Sequence, residues 1–161
     1  MLSEGMTLPD AVFPVMGADG MKSVSLLDIL KARRVVIFAV PGAFTPTCDA
    51  AHMPSFVRTA DALRQKGVDE IICLSVNDAY VMHVWGEQSG ATKAGITMLA
   101  DADAGFTKAV GMDYSSPKSG MLNRSLRYAM LVENGVVTRL HLEASTGACE
   151  ISGGEAMLAA I

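Results

Sequence analysis

The sequence is sparing with several residue types, and each shortage excludes something. Its 161 residues include only three cysteines, an odd number and too few for a disulfide-stapled scaffold. Only 19% of residues are charged and 6% aromatic, with a single tryptophan. Beside a hydrophobic content of 50% and a mean hydropathy of +0.32, so little charge argues for a packed core and against disorder. There is no basic surplus either. Lys and Arg number 13 against 17 Asp and Glu, a net charge of −4, which is a poor complement to a phosphate backbone. No apolar run approaches the about 18–20 residues that a membrane-spanning helix needs. The longest, Val35 to Val40, is strand-sized. Met1 to Gly5 lacks the basic start and apolar core of a signal peptide. The expectation is a single domain over residues 1–161, cytoplasmic, with reduced thiols and neither nucleic acid nor membrane as partner.

What is present reads as alternating strands and helices. Residues 1–34 suggest loops, a short strand or two and a helix around Ser25–Ala32. Val35–Val40 and Ile71–Val76 are continuous apolar runs of the kind buried on both faces of a sheet. Between them, Met53, Phe56, Val57, Ala60 and Leu63 follow helical spacing, and the signals at the ends place one helix over about Pro46–Lys66. Asn77-Asp78 opens a second helix with Val81, Val84, Trp85 and Gln88 on one face. Ile96–Ala100 reads as a strand and Ala104–Val110 as a short helix. Tyr128–Glu133 and Val136–Leu142 flank Asn134-Gly135, a strong two-residue hairpin signal, and Gly154–Ile161 ends the chain as a helix. This order predicts an α/β fold with a mixed central sheet and helices on both faces.

The segment Pro41-Gly-Ala-Phe-Thr-Pro-Thr-Cys48 concentrates the chemistry. With Thr45 as N-cap and Pro46 as first helical residue, Cys48 falls in the first turn, beside unpaired N–H groups and the positive end of the helix dipole. That setting favours a nucleophilic thiolate. It also lies past the carboxyl end of a strand, where ligand sites of open α/β sheets cluster. Phe44 is placed to shield one side from water. His52 sits one turn after Cys48 on the same helix face, placed to tune the thiol, to donate a proton or, more simply, to make a structural hydrogen bond. His52, His83, His141 and the three cysteines lack metal-ligand spacing, and no cofactor is implied.

Pro-x-x-x-Thr-x-x-Cys, here Pro41, Thr45 and Cys48, resembles the active-site signature of peroxiredoxins. The fuller string with His52-Met-Pro54, then Ser75-Val-Asn-Asp78, Trp85-Gly86, Arg127-Tyr-Ala-Met130 and Asn134-Gly-Val-Val137, resembles the Prx5 (type II, atypical) subfamily. The resemblance implies a thioredoxin-like fold, reduction of hydrogen peroxide and organic hydroperoxides, and a homodimer. It casts Cys48 as the attacking thiol that becomes a sulfenic acid. Thr45 would offer its hydroxyl to thiolate and peroxide, Pro41 would shield the sulfur, and Arg127 would hold positive charge beside it, with backbone N–H groups around Ala43 to Cys48 as further donors. Arg124, which lacks the family context of Arg127, reads as a surface group.

Recycling of the sulfenic acid is open at this level. Cys73 sits mid-strand between Ile72 and Leu74, as in plant members of the family. Cys149, in the loop-like Ser145–Glu150, lies in a context similar to the resolving cysteine of animal members, one residue shorter. Each is a possible resolving thiol. The third route uses an external reductant, glutathione with glutaredoxin or thioredoxin. A dithiol oxidoreductase is disfavoured because Cys48 has no CxxC partner, and a redox sensor is the remaining alternative.

Overall fold

A computed structural model describes residues 1–161. A hairpin of β1 (Val12–Gly17) and β2 (Gly20–Ser25) leads into α1 (Leu26–Leu30). Ser25 caps α1, its hydroxyl accepting the Asp28 N–H. Then follow β3 (Arg34–Val40), a wide helical turn at Cys48–His52 running into α2 (Met53–Gln65), β4 (Glu70–Ser75), α3 (Ala79–Gln88) and β5 (Thr97–Ala100). After α4 (Gly105–Ala109) come β6 (Asp113–Ser116), β7 (Met121–Ser125), β8 (Tyr128–Glu133), β9 (Val136–Leu142) and α5 (Gly154–Ala160).

The central sheet has the order β5-β4-β3-β8-β9. β3, β4 and β5 are parallel, and β8 and β9 run antiparallel to their neighbours. The β-branched run of β3 is buried on both faces, as read from the sequence. Val36, Phe38 and Val40 join one core with Phe56, Leu63, Trp85 and Met157, so α2, α3 and α5 cover that face. Val35, Ile37 and Ala39 join the other with Leu26, Leu30, Phe106 and Val110, which places α1 and α4 there. Asn134 and Gly135 both have positive φ, 48° and 80°, as the two central residues of the β8–β9 turn require.

Three details differ from the sequence reading. The hairpin β6–β7 falls in a stretch without clear periodicity, and its pairing is interrupted between Tyr114 and Ser116. α3 buries Ala79, Met82, Trp85 and Gly86 and leaves Val84 exposed, so its inner face is turned from the one its valines suggest. Close packing at Gly86 sets that rotation: a Cβ there would come within 2.8 Å of Met98. Finally, the helix over Pro46–Lys66 is not one regular α-helix. The Met53 N–H donates to the Cys48 carbonyl, a five-residue step that widens the turn over Cys48–His52. Pro54 supplies the cause, because it has no N–H for the Ala50 carbonyl and its ring would strike that carbonyl in an α-helix.

Register brings the distant parts of the site together. Ala39 on β3 pairs with Tyr128 on β8, so Arg127 arrives beside the end of β3, where the chain turns toward Cys48. Tyr128 pairs with Leu142 on β9, and the Glu143 N–H continues that ladder onto the Arg127 carbonyl.

Candidate active site

Cys48 is fully buried at the start of the wide turn. The Nη2 of Arg127 lies 3.2 Å from its sulfur. The same guanidinium donates from Nη1 to His52 Nδ1 at 3.0 Å, and from Nε and Nη2 to the Thr146 carbonyl at 3.2 and 2.9 Å. Arg127 is only 2% exposed, yet none of the ion pairs of the chain includes it. A buried cation is costly unless charge of opposite sign compensates it. The Cys48 sulfur is the one atom within hydrogen-bond reach that can carry negative charge.

His52 completes the cluster. Its Nε2–H donates to the Ser152 carbonyl at 2.8 Å, which leaves Nδ1 to accept from Arg127. Burial and the neighbouring guanidinium bring its pKa down to about 3, so the ring is neutral. Of the three roles the sequence left to His52, this geometry fits the structural hydrogen bond. With both nitrogens engaged, it aims Arg127 and has no proton to give. The wide turn brings Cys48 and His52 to one guanidinium.

Thr45 differs in detail from its expected role. Its carbonyl accepts the Asp49 N–H, so its backbone does stand at the start of the helix. Its hydroxyl, however, does not cap. It donates to the Gly42 carbonyl at 2.7 Å, which leaves the oxygen as an acceptor. Among the loop N–H groups, that of Ala43 is taken by Asn77 Oδ1 at 3.0 Å and that of Thr45 bonds Gly42. Those of Phe44, Thr47 and Cys48 engage no acceptor in the protein, so the donor set narrows to these, of which the last two stand in the first helical turn.

Pro41 is buried, and its carbonyl accepts from Arg124 Nη1 at 3.4 Å. Arg124 is therefore not the free surface group expected from sequence, but leans from β7 onto the loop before Cys48. A Cβ on Gly42 would meet that nitrogen at 2.9 Å, so only glycine leaves room for this approach. Phe44 adopts a left-handed backbone, φ 63°, half exposed with its ring tilted against Trp85 at 6.3 Å. Asp49 accepts the Trp85 indole N–H at 2.8 Å and ties the turn to α3.

The other thiols are placed differently. Cys73 is fully buried in β4 opposite Phe38, and burial pushes its thiol well up. Cys149 is half-buried in the loop after β9, its thiol raised by burial. That loop also carries residues that sequence reasoning missed, Thr146 and Ser152, which act through carbonyls and so leave no side-chain signal. The arrangement of buried thiol, unpaired guanidinium, free backbone donors and a hydroxyl acceptor suits attack by sulfur on a small polar molecule whose leaving atom gains negative charge.

Known proteins share this chain's sequence and shape. The redoxin family model matches residues 3–158. The chloroplastic peroxiredoxin-2E-2 of Oryza sativa subsp. japonica is 44% identical, over 99% of this chain and 72% of that protein. The crystal structure of reduced Prx3 in complex with H2O2 from Vibrio vulnificus has a TM-score of 0.93 and 47% identity, covering 99% of each chain. That of peroxiredoxin 5 from Alvinella pompejana has a TM-score of 0.86 and 31% identity, over 99% of this chain and 97% of that one.

Proposed function

The chain belongs to the peroxiredoxins, in their Prx5-like subfamily, and is a thiol-dependent peroxidase; on that premise we propose that Cys48 is its peroxidatic cysteine. The observation that carries this assignment is the Arg127 guanidinium, buried without a carboxylate and 3.2 Å from the Cys48 sulfur. The thiolate attacks one oxygen of hydrogen peroxide or an organic hydroperoxide. The S–O bond forms as the O–O bond breaks, giving a sulfenic acid and, after one proton is taken up, water or an alcohol. Arg127 and the Thr47 and Cys48 N–H groups stabilise charge on the departing oxygen. Thr45 Oγ1, its proton committed to Gly42, accepts from the peroxide O–H and so orients it. Pro41 walls the sulfur from water.

For the return step we favour an external thiol, glutathione with glutaredoxin, with thioredoxin as the alternative. The burial of Cys73 within β4 supports this reading, since a bond to it requires strand opening. A second reading uses Cys149, on the grounds that it lies in a loop and is partly accessible. Three free thiols fit a reducing compartment such as the cytoplasm. Exposed Phe44, Tyr80 and Val84 around buried Trp85 fit a homodimer contact, which sedimentation of the reduced protein tests. Non-reducing mass spectrometry after one equivalent of peroxide tests the rest. A sulfenic acid on Cys48 that glutathione traps is expected. A Cys48–Cys149 bond selects the second reading, and oxidation confined to another cysteine overturns the assignment.

A further inference from the structure

Glu143 is a buried carboxylate next to this site in the fold. It is 8% exposed, and a single oxygen, Oε1, accepts from the N–H groups of Glu150, Ile151 and Ser152 and from the Ser152 hydroxyl, at 2.7 to 2.8 Å. Its own N–H donates to the Arg127 carbonyl at 3.1 Å. One residue thus spans the backbone of Arg127 and the far end of the loop that faces it. The loop turns three carbonyls toward the site: Thr146 to the Arg127 guanidinium, Gly147 to the Thr47 hydroxyl at 3.1 Å, and Ser152 to His52. Without a carboxylate partner, the guanidinium is aimed only by the Thr146 carbonyl, by His52 and by the sulfur itself.

We propose that Glu143 is a positioning residue for the cysteine site: by latching Glu150–Ser152 it fixes the Ser152 and Thr146 carbonyls, which hold His52 and Arg127 on the Cys48 sulfur. The inference rests on the assignment of Cys48 as peroxidatic residue. The donors converging on Oε1 hold its carboxyl below the usual range against the opposing effect of burial, consistent with a permanent acceptor. A latch through hydrogen bonds and an effect of bare charge make opposite predictions. As an anion near Arg127, Glu143 competes with the sulfur for positive charge, so its neutralisation alone makes Cys48 more reactive. As a latch, its loss slackens Arg127 and makes Cys48 less reactive.

Two variants separate these. Glu143→Gln keeps the length and the Oε1 acceptor but not the charge; Glu143→Asp keeps the charge but falls short of the loop. The readouts are the rate of peroxide reaction with the reduced protein and the pH midpoint of Cys48 alkylation, with thermal melting alongside. E143D is expected to lose about tenfold or more in rate, with the midpoint moving up, while E143Q stays within about threefold of the parent. E143D at the parent rate, a faster E143Q, or a melting shift in both without change at Cys48 overturns the proposal. If E143D does not fold, Ser152→Ala, which deletes one donor only, serves instead: a rate fall of about twofold is expected, and an unchanged rate refutes the latch. These outcomes are distinct from failure of the Cys48 assignment, in which Cys48→Ser retains peroxide turnover.

Discussion

Cys48 and Cys73 are equally inaccessible and belong to the same hydrophobic core, yet their surroundings give them opposite characters. Cys73 sits mid-strand, flanked in register by Phe38 and Met98, and burial first, with the neighbouring Cys48 second, pushes its thiol up. Cys48 sits where the strand β3 has ended and a helix begins, with free N–H groups beside it and a guanidinium on its sulfur. Burial therefore does not decide whether a cysteine is inert. What decides is whether the burying surface brings a donor that only a thiolate can satisfy.

The sharpest way to break this comparison is to exchange the roles. Cys48→Ser is expected to lower the rate of peroxide consumption by about a thousandfold or more, since the nucleophile is gone. Cys73→Ser is expected to leave it unchanged, and a Cys73→Ser protein that fails to react with peroxide would refute the distinction. Next in size is Arg127→Gln, which removes the cation but keeps a polar side chain. A fall of about 10²–10³-fold in the single-turnover rate is expected; a rate near the parent's means that the free N–H groups suffice.

The inert side of the comparison shows in stability. Cys73→Ser buries a hydroxyl in an apolar strand and is expected to cost about 1–3 kcal/mol in urea unfolding, with the peroxide rate intact. The pH dependence of unfolding isolates the other side. His52 is held neutral with its pKa down to about 3, while its value in the unfolded chain is near 6.5. The unfolded state then binds the extra proton, so the stability His52 contributes is present above pH 6.5 and is lost as pH falls toward 3. Glu143 adds loss in the same direction only on further acidification, because its ordinary value of 4.5 is already lowered in the fold. The decline above pH 4.5 is therefore expected to flatten in His52→Asn, checked by melting temperature across pH. Smallest is Asp49→Ala. It frees the Trp85 indole N–H and is expected to cost about 1 kcal/mol, read together with a shift in the emission of the only tryptophan.

Much of this was legible beforehand, for reasons that differ by element. The β-branched runs at Val35–Val40 and Ile71–Val76 announced buried parallel strands because both faces of such strands must be apolar. Asn134-Gly135 announced the β8–β9 turn because its two positive φ angles suit few other residues. Pro54 is the sequence signal for the wide turn, because it cannot bond the Ala50 carbonyl, and it outweighs the helical spacing that runs through it. Thr146, Gly147 and Ser152 gave no signal, since a backbone carbonyl is the same for every residue. The placement of Arg124 on the Pro41–Gly42 loop depends on how β7 packs, which no local pattern records.

By itself, then, the sequence determined the layered α/β class, the strands that form its center and the thiol at a helix start, because periodicity, turn chemistry and capping act over a few neighbouring residues. Tertiary structure alone decided that this thiol meets a cation. Arg127 is 79 residues away from Cys48 along the chain, and only the antiparallel register of β8 on β3 sets it beside the sulfur. Nor could local pattern show that Glu143, through the ladder of β9 on β8, fastens the loop whose carbonyls aim that cation. Such contacts are fixed by sheet order and register, which the whole core must agree upon before any one pair can form.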